Sequence, residues 1–268
     1  MKRKIGFIGV GNMGSAIIKG VALSELRWEI EIYTADTDQK KLDALSDCDI
    51  VKCRDAAELT SECDIVFLAV KPQVLEDVLK SVKNQVRDGQ VFVSIAAGIP
   101  AEFIKNTLEN QNIGVILVMP NTPLLLGEGA TAIAESDSVT KNHFDFVCSV
   151  FEYCGKIQVI PENKMKEIIA INGSSPAFIY LFAKGFIDYA VKNGISAEAA
   201  KVLFCQSLVG SAKMMTDSGY SIDELIKMVS SPGGTTLAGL DKLYSNELEK
   251  AVDEACEACT KRAYELSK

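Results

Sequence analysis

Residues 5–14, Ile5-Gly6-Phe7-Ile8-Gly9-Val10-Gly11-Asn12-Met13-Gly14, decide the fold of this chain. Ile5 to Ile8 is a short apolar run of the kind that forms a buried strand. Met13 to Leu23 carries apolar residues at helical spacing. Between them lies a G-x-G-x-x-G turn. Gly9 permits the tight bend, Gly11 lets a pyrophosphate approach the backbone, and Gly14 lets helix and strand pack closely. The helix amino terminus then offers unpaired N–H groups to phosphate oxygens. Strand, glycine turn and helix in this order form the context in which the motif signals a dinucleotide-binding unit.

Working outward, strand and helix signals alternate. Glu29 to Ala35 predicts a strand and Thr37 to Leu45 a helix capped by Thr37 or Asp38. Asp64 to Val70 (DIVFLAV) is apolar almost throughout, as suits a parallel strand buried on both faces. Pro72 opens a helix to Val82. Gln90–Ile95, Gly114–Val118, Gly129–Ala134 and Lys156–Ile160 predict further strands, with a helix from Val139 to Tyr153. Beyond Pro161 the strand signal stops. Ile168–Val191, Ser196–Met215 and Glu247–Leu266 predict helices, and Ser221-Ile222-Asp223-Glu224 forms a capping box. The fold class is therefore α/β. A Rossmann-type, doubly wound, mostly parallel sheet is expected over residues 1–160, and an all-helical domain over 161–268.

Ile168–Val191 carries Phe178, Tyr180, Phe182, Phe186 and Tyr189 on more than one face. A helix that is apolar all round is a buried helix. The expectation is an interlocked homo-oligomer (a dimer or ring of dimers), with burial against the first domain as the alternative.

Apolar residues make up 48% of the 268 and charged ones 24%, which excludes a disordered or fibrous chain. The formal charge of −8 argues against nucleic acid or an anionic membrane as partner. No apolar stretch approaches the ~20 residues of a membrane span. Met1-Lys2-Arg3-Lys4 leads into glycines rather than a long apolar segment. It reads as a strand entering a turn, not a secretory leader. The eight cysteines are expected to be reduced thiols in the cytoplasm. Cys256-x-x-Cys259 has no partner pair at metal-ligand spacing, so no metal is expected.

Asp36 stands at the end of the second strand, at the position that reads the adenosine ribose. A carboxylate there binds the 2′-hydroxyl of NAD and repels the 2′-phosphate of NADP. Thr34 and Thr37 are possible phosphate donors, and Lys40 and Lys41 follow one turn on. Asp36 also suits a helix cap, so the choice between NADH and NADPH stays open. Ala69-Val70-Lys71-Pro72 ends the strongest strand, where ligands bind in open α/β sheets. Lys71 is read either as a cofactor neighbour or as a solvated turn residue. Ser94-Ile95-Ala96-Ala97-Gly98 and Met119-Pro120-Asn121-Thr122-Pro123 follow later strands and are candidate site walls. Ser230-Ser231-Pro232-Gly233-Gly234-Thr235-Thr236 combines two glycines, hydroxyls and a helix start. That combination makes a candidate carboxylate nest.

GVGNMGSAI, FLAVKPQ, SIAAGI, MPNTP and SSPGGTTLAGL occur in order from residue 9 to residue 240. Together they closely resemble the Δ1-pyrroline-5-carboxylate reductase family. The resemblance implies NADPH- or NADH-dependent reduction of 1-pyrroline-5-carboxylate to L-proline, the last step of proline biosynthesis. It implies that Thr236 hydrogen-bonds the ring nitrogen and that Ser231, Gly234 and Thr235 lie about the carboxylate. It implies that Gly9, Gly11, Asn12, Met13 and Gly14 form the pyrophosphate turn. Ala69, Val70, Lys71 and Pro72 would run along the cofactor and Ala97 beside the nicotinamide. Thr34, Asp36 and Asn121, read from their places at strand ends, complete the candidate cofactor set. It also implies a site between the domains, closed by a second subunit.

Two positions depart from the family pattern: Ser175 replaces a glycine in Asn172–Ala177, and Asp55-Ala56 stands where an asparagine is usual. The reaction needs no metal and no strong acid, and His143, the one histidine, lies in a helix away from the strand ends. A hydroxyacid dehydrogenase would carry a lysine on the long helix, but Gly173–Tyr180 has none and Lys184 is out of step. A catalytically silent dinucleotide sensor would not need the Ser231–Thr236 loop.

Overall fold

The computed structural model describes residues 2–266, which divide into two compact units. Residues 2–174 with 259–266 form the first, and Ser175–Ala258 form the second.

The first unit is built on an eight-stranded sheet. Its strands are β1 (Arg3–Ile8), β2 (Ile30–Ala35), β3 (Ile50–Lys52), β4 (Ile65–Leu68), β5 (Val91–Ser94), β6 (Gly114–Met119), β7 (Gly129–Glu135) and β8 (Gly155–Val159). The spatial order is β3-β2-β1-β4-β5-β6-β7-β8, and only the β6–β7 pair is antiparallel. The order reverses between β1 and β4, so a ligand crevice opens at the carboxyl ends of these two strands. β1 and β4 run in register from Ile5–Ile65 to Ile8–Leu68. Their alternating side chains feed two cores. On one face Phe7 stacks on Phe67 with ring centroids 4.4 Å apart, and Ile17, Ile18 and Val21 of α1 (Asn12–Ala22) cover them. On the other face Ile8 and Leu68 meet Leu75 and Leu79. Burying each such side chain contributes roughly 1.5–3 kcal/mol, which fixes the sheet and the loops at its carboxyl edge.

Short helices complete the winding: α2 (Gln39–Asp43), α3 (Ala56–Glu62), α4 (Pro72–Val82), α5 (Ala101–Thr107) and α6 (Lys141–Glu152). α4 follows the predicted span, with Pro72 in its first turn. β3, α3 and α5 were not placed by the residue pattern. Each is only 3 to 7 residues long, too short for periodicity to register.

The packing boundary lies at Ser174, past the end of the strand signal. Met165 joins the second core, and Asn172 is buried on the sheet. The long helix expected from Ile168 begins instead as a π-helical stretch, Ile169–Ser174, and becomes regular in α7 (Ser175–Lys192). Pro176 has no N–H to close the bond onto Asn172, so the regular ladder cannot pass through this point. The second unit continues with α8 (Ala197–Asp217), α9 (Ile222–Met228), α10 (Thr235–Ser245) and the start of α11 (Leu248–Leu266). Ser196 caps α8, and the Ser221–Glu224 capping box forms as expected. Phe186 stacks on Phe204 at 4.4 Å, yet Tyr180 is 63% and Leu181 71% exposed.

Candidate active site

Gly9 leaves β1 with φ +91°, a conformation only glycine adopts without strain. A Cβ on Gly9 would lie 2.8 Å from the Ala69 carbonyl oxygen, and one on Gly14 would lie 2.5 Å from the Gly9 oxygen and 3.2 Å from the Ala69 Cβ. The turn after β1 is thus packed against the residue that follows β4. Gly11 differs, since a Cβ there meets nothing within 4 Å. It is the N-cap of α1, and no side chain caps that helix. Open space over free N–H groups at an amino terminus is a cradle for a pyrophosphate, and a Cβ on Gly11 would project into it. The residues present therefore fit a dinucleotide. Asn12 is exposed and Met13 half-buried beside this space.

Asp36 sits at the same edge. Its Oδ2 accepts the Val10 N–H at 2.8 Å and its Oδ1 accepts the Asp38 N–H at 2.8 Å. The Lys41 ammonium is 3.6 Å from Oδ1. Asp36 therefore ties the glycine turn to the end of β2, while Asp38 caps α2. Thr34 is placed differently from the expectation. It is fully buried, and its hydroxyl donates to the Val51 carbonyl at 3.4 Å. One residue before the strand end its side chain lies in the sheet, not in the crevice, so it offers no cofactor contact.

Ala69 and Val70 are half-buried and Lys71 is exposed, at the N-cap of α4. Ala97 is exposed after β5, and Gly98 follows at φ +80°. Asn121 is 8% exposed and its Oδ1 accepts the Ala130 N–H at 2.9 Å. Its side chain secures the loop after β6 rather than pointing outward. Residue reading missed Asn172. Its Nδ2 donates to the Met119 carbonyl at 2.6 Å and to that of Ala130 at 3.2 Å. Asn121 and Asn172 thus hold the end of β6 and the start of β7 together. The only signal for this was a polar residue just before the glycine of the long apolar segment.

A cavity of ≈ 420 Å³ opens at the ends of β5 and β6, lined in part by Ser94, Ala96, Gly98, Met119, Lys166 and Tyr264. The Tyr264 hydroxyl donates to Glu167 Oε1 at 2.9 Å and holds that carboxyl below its usual range. His143 lies in the first turn of α6, its ring depressed chiefly by burial.

In the second unit, Gly233 has φ +72° and the Gly234 N–H bonds the Ser231 carbonyl at 2.9 Å. A Cβ on Gly234 would lie 2.6 Å from Ser231 Oγ. Gly234 is the N-cap of α10, again with no side-chain cap, and Ser231, Thr235 and Thr236 are exposed. Hydroxyls and open N–H groups converge on this turn, as a small carboxylate requires.

Comparison with known proteins adds to this geometry. A family model described as pyrroline-5-carboxylate reductase dimerisation matches residues 162–266, and one described as NADP oxidoreductase, coenzyme F420-dependent, matches 4–98. The pyrroline-5-carboxylate reductase of Escherichia coli is 35% identical over the whole of both chains. That of Methanosarcina acetivorans is 34% identical over 99% of this chain and 98% of its own. The Plasmodium falciparum pyrroline carboxylate reductase, solved with NADP bound, has a TM-score of 0.88 at 31% identity, covering 99% of this chain and 98% of that one. Fold and glycine turn define a Rossmann-type, nicotinamide-dependent oxidoreductase. Within that class, the chain belongs to the pyrroline-5-carboxylate reductase family. The match over 162–266, to a model described as dimerisation, supports self-association of the helical part.

Proposed function

We propose that this protein reduces 1-pyrroline-5-carboxylate to L-proline, completing proline biosynthesis in the cytoplasm, where its unpaired cysteines are at home. The observation that carries the reading is the turn opening α10. It is glycine-shaped, uncapped and flanked by hydroxyls, on a chain whose first turn is likewise uncapped and leaves open space that fits a dinucleotide. When bound, NADH or NADPH supplies a hydride to the imine carbon, while the imine nitrogen carries the proton.

Residues 1–160 hold the cofactor in this reading, and residues 161–268 bind substrate and self-associate. Gly9, Gly11, Asn12, Met13 and Gly14 receive the pyrophosphate through backbone N–H groups. Ala69, Val70, Lys71 and Pro72 line the cofactor, and Ala97 lies beside the nicotinamide. Ser231, Gly234 and Thr235 hold the substrate carboxylate, and the Thr236 hydroxyl bonds the ring nitrogen. The chain's contribution to the rate is positioning of two rings and electrostatic fit. No metal enters this account.

The test is loss of nicotinamide absorbance with purified protein, with and without pyrroline-5-carboxylate. Oxidation that depends on the imine supports the reading. Cofactor binding without imine-dependent turnover refutes it, and turnover with a hydroxyacid would replace it.

A further inference from the structure

The adenosine ribose of a bound dinucleotide lies beyond the end of β2, and the structure fixes two carboxylates at that edge. The Asp36 side chain is 8% exposed, and both of its oxygens accept backbone N–H groups, from Val10 and from Asp38. It cannot swing aside for a bulkier group without releasing Val10 from the glycine turn. Asp55 follows β3, which runs parallel to β2 with Lys52 beside Thr34, so both acids emerge at the same edge of adjacent strands. Asp55 caps α3, its Oδ1 accepting the Glu58 N–H at 2.8 Å.

Two nearby cations are already engaged: Lys41 lies 3.6 Å from Asp36, and Arg54 Nε lies 3.2 Å from Asp55. Both are well exposed, at 47% and 80%, so water and salt screen them. The shielded, fixed charge is the Asp36 carboxylate. A ribose 2′-hydroxyl donates to such a group. A 2′-phosphate brings about −1.5 to −2 charges and only acceptors at neutral pH.

We infer that Asp36 makes this chain select NADH over NADPH. The inference rests on the proposed nicotinamide site and sharpens it.

The experiment titrates the purified full-length protein with NADH and with NADPH, reading Kd from nicotinamide fluorescence, and repeats this for Asp36→Ser and Lys41→Gln. The native protein is expected to bind NADH about tenfold or more tightly than NADPH. Asp36→Ser moves that ratio toward NADPH by about tenfold or more. Lys41→Gln moves it the other way by a few-fold, because removing the cation penalises the phosphate. Equal or tighter binding of NADPH by the native protein overturns the inference. So does an Asp36→Ser variant that weakens both cofactors by the same factor, since Asp36 would then only brace the turn. Should Asp36→Ser fail to fold, the native ratio and Lys41→Gln decide. If neither cofactor binds the native protein, the proposed function itself falls, whereas intact imine reduction without NADH preference sinks this inference alone.

Discussion

Two helices in this molecule start on a glycine without a side-chain cap, α1 on Gly11 and α10 on Gly234, and they are built in opposite ways. The α1 turn is part of the core. Val10 is 2% exposed, Ile17, Ile18 and Val21 are fully buried, Asp36 braces the backbone, and Ala69 closes one side. The α10 turn is presented at a surface. No residue of α10 is buried, and the groups on offer are the hydroxyls of Ser231, Thr235 and Thr236. A pyrophosphate needs only backbone donors held still, which a buried turn supplies. A small imino acid must be distinguished from its relatives, which requires side-chain donors. In the proposed function the same helix-end electrostatics would serve as a rigid mould in one unit and as a selective hand in the other.

Filling the mould is the severest way to break the comparison. Gly11→Val directs its side chain into open space, since a Cβ there meets nothing within 4 Å. Folding should survive, while cofactor Kd rises on the order of a hundredfold or more, because the side chain would block the N–H groups that the proposed function assigns to the pyrophosphate. Cofactor titration beside a thermal melt separates the two effects, and unchanged cofactor affinity would show that the ligand lies elsewhere. At the other helix, Thr236→Ala should lower kcat by roughly ten- to a thousandfold with NAD(P)H affinity nearly intact, as for loss of one preorganised donor. Stopped-flow turnover set against the same titration checks this. Joint loss of both quantities would mean that the two turns do not divide the labour. Gly14→Ala should act on folding instead. Its Cβ would meet the Gly9 carbonyl oxygen at 2.5 Å, against backbone that cannot yield. The expected cost is about 1–3 kcal/mol in denaturant melts, the usual range for overpacking.

Both turns were legible in the sequence because glycine, proline and hydroxyl residues declare backbone geometry locally. The strands β1, β4, β5 and β6 were legible because their apolar runs are buried on both faces. Asn172 was not, since its role depends on two carbonyls, Met119 and Ala130, that lie far along the chain. Thr34 shows the converse error. Proximity in sequence to Asp36 suggested a shared crevice, but strand alternation and the β2–β3 pairing turn its hydroxyl into the sheet. Asp36 itself was read as either ribose reader or cap, and the bond to Val10 shows a third task that no spacing rule announces.

The smallest expected effect tests whether the two turns suffice without a titrating acid. His143 is held below its ordinary value, first by burial and then by the charge of Arg3, with Asp64 opposing. As pH falls through about 6.5, the unfolded chain takes up this proton before the folded one does. Stability therefore declines between that pH and the lower folded value, and His143 adds no further loss below both. His143→Gln should flatten that part of the stability–pH curve, as followed by thermal melts across the acid range. It should leave the pH profile of kcat where it was, because α6 carries no group in either turn. A turnover profile that moved with His143 would place a proton donor outside both helix starts and undo the division of labour drawn from them.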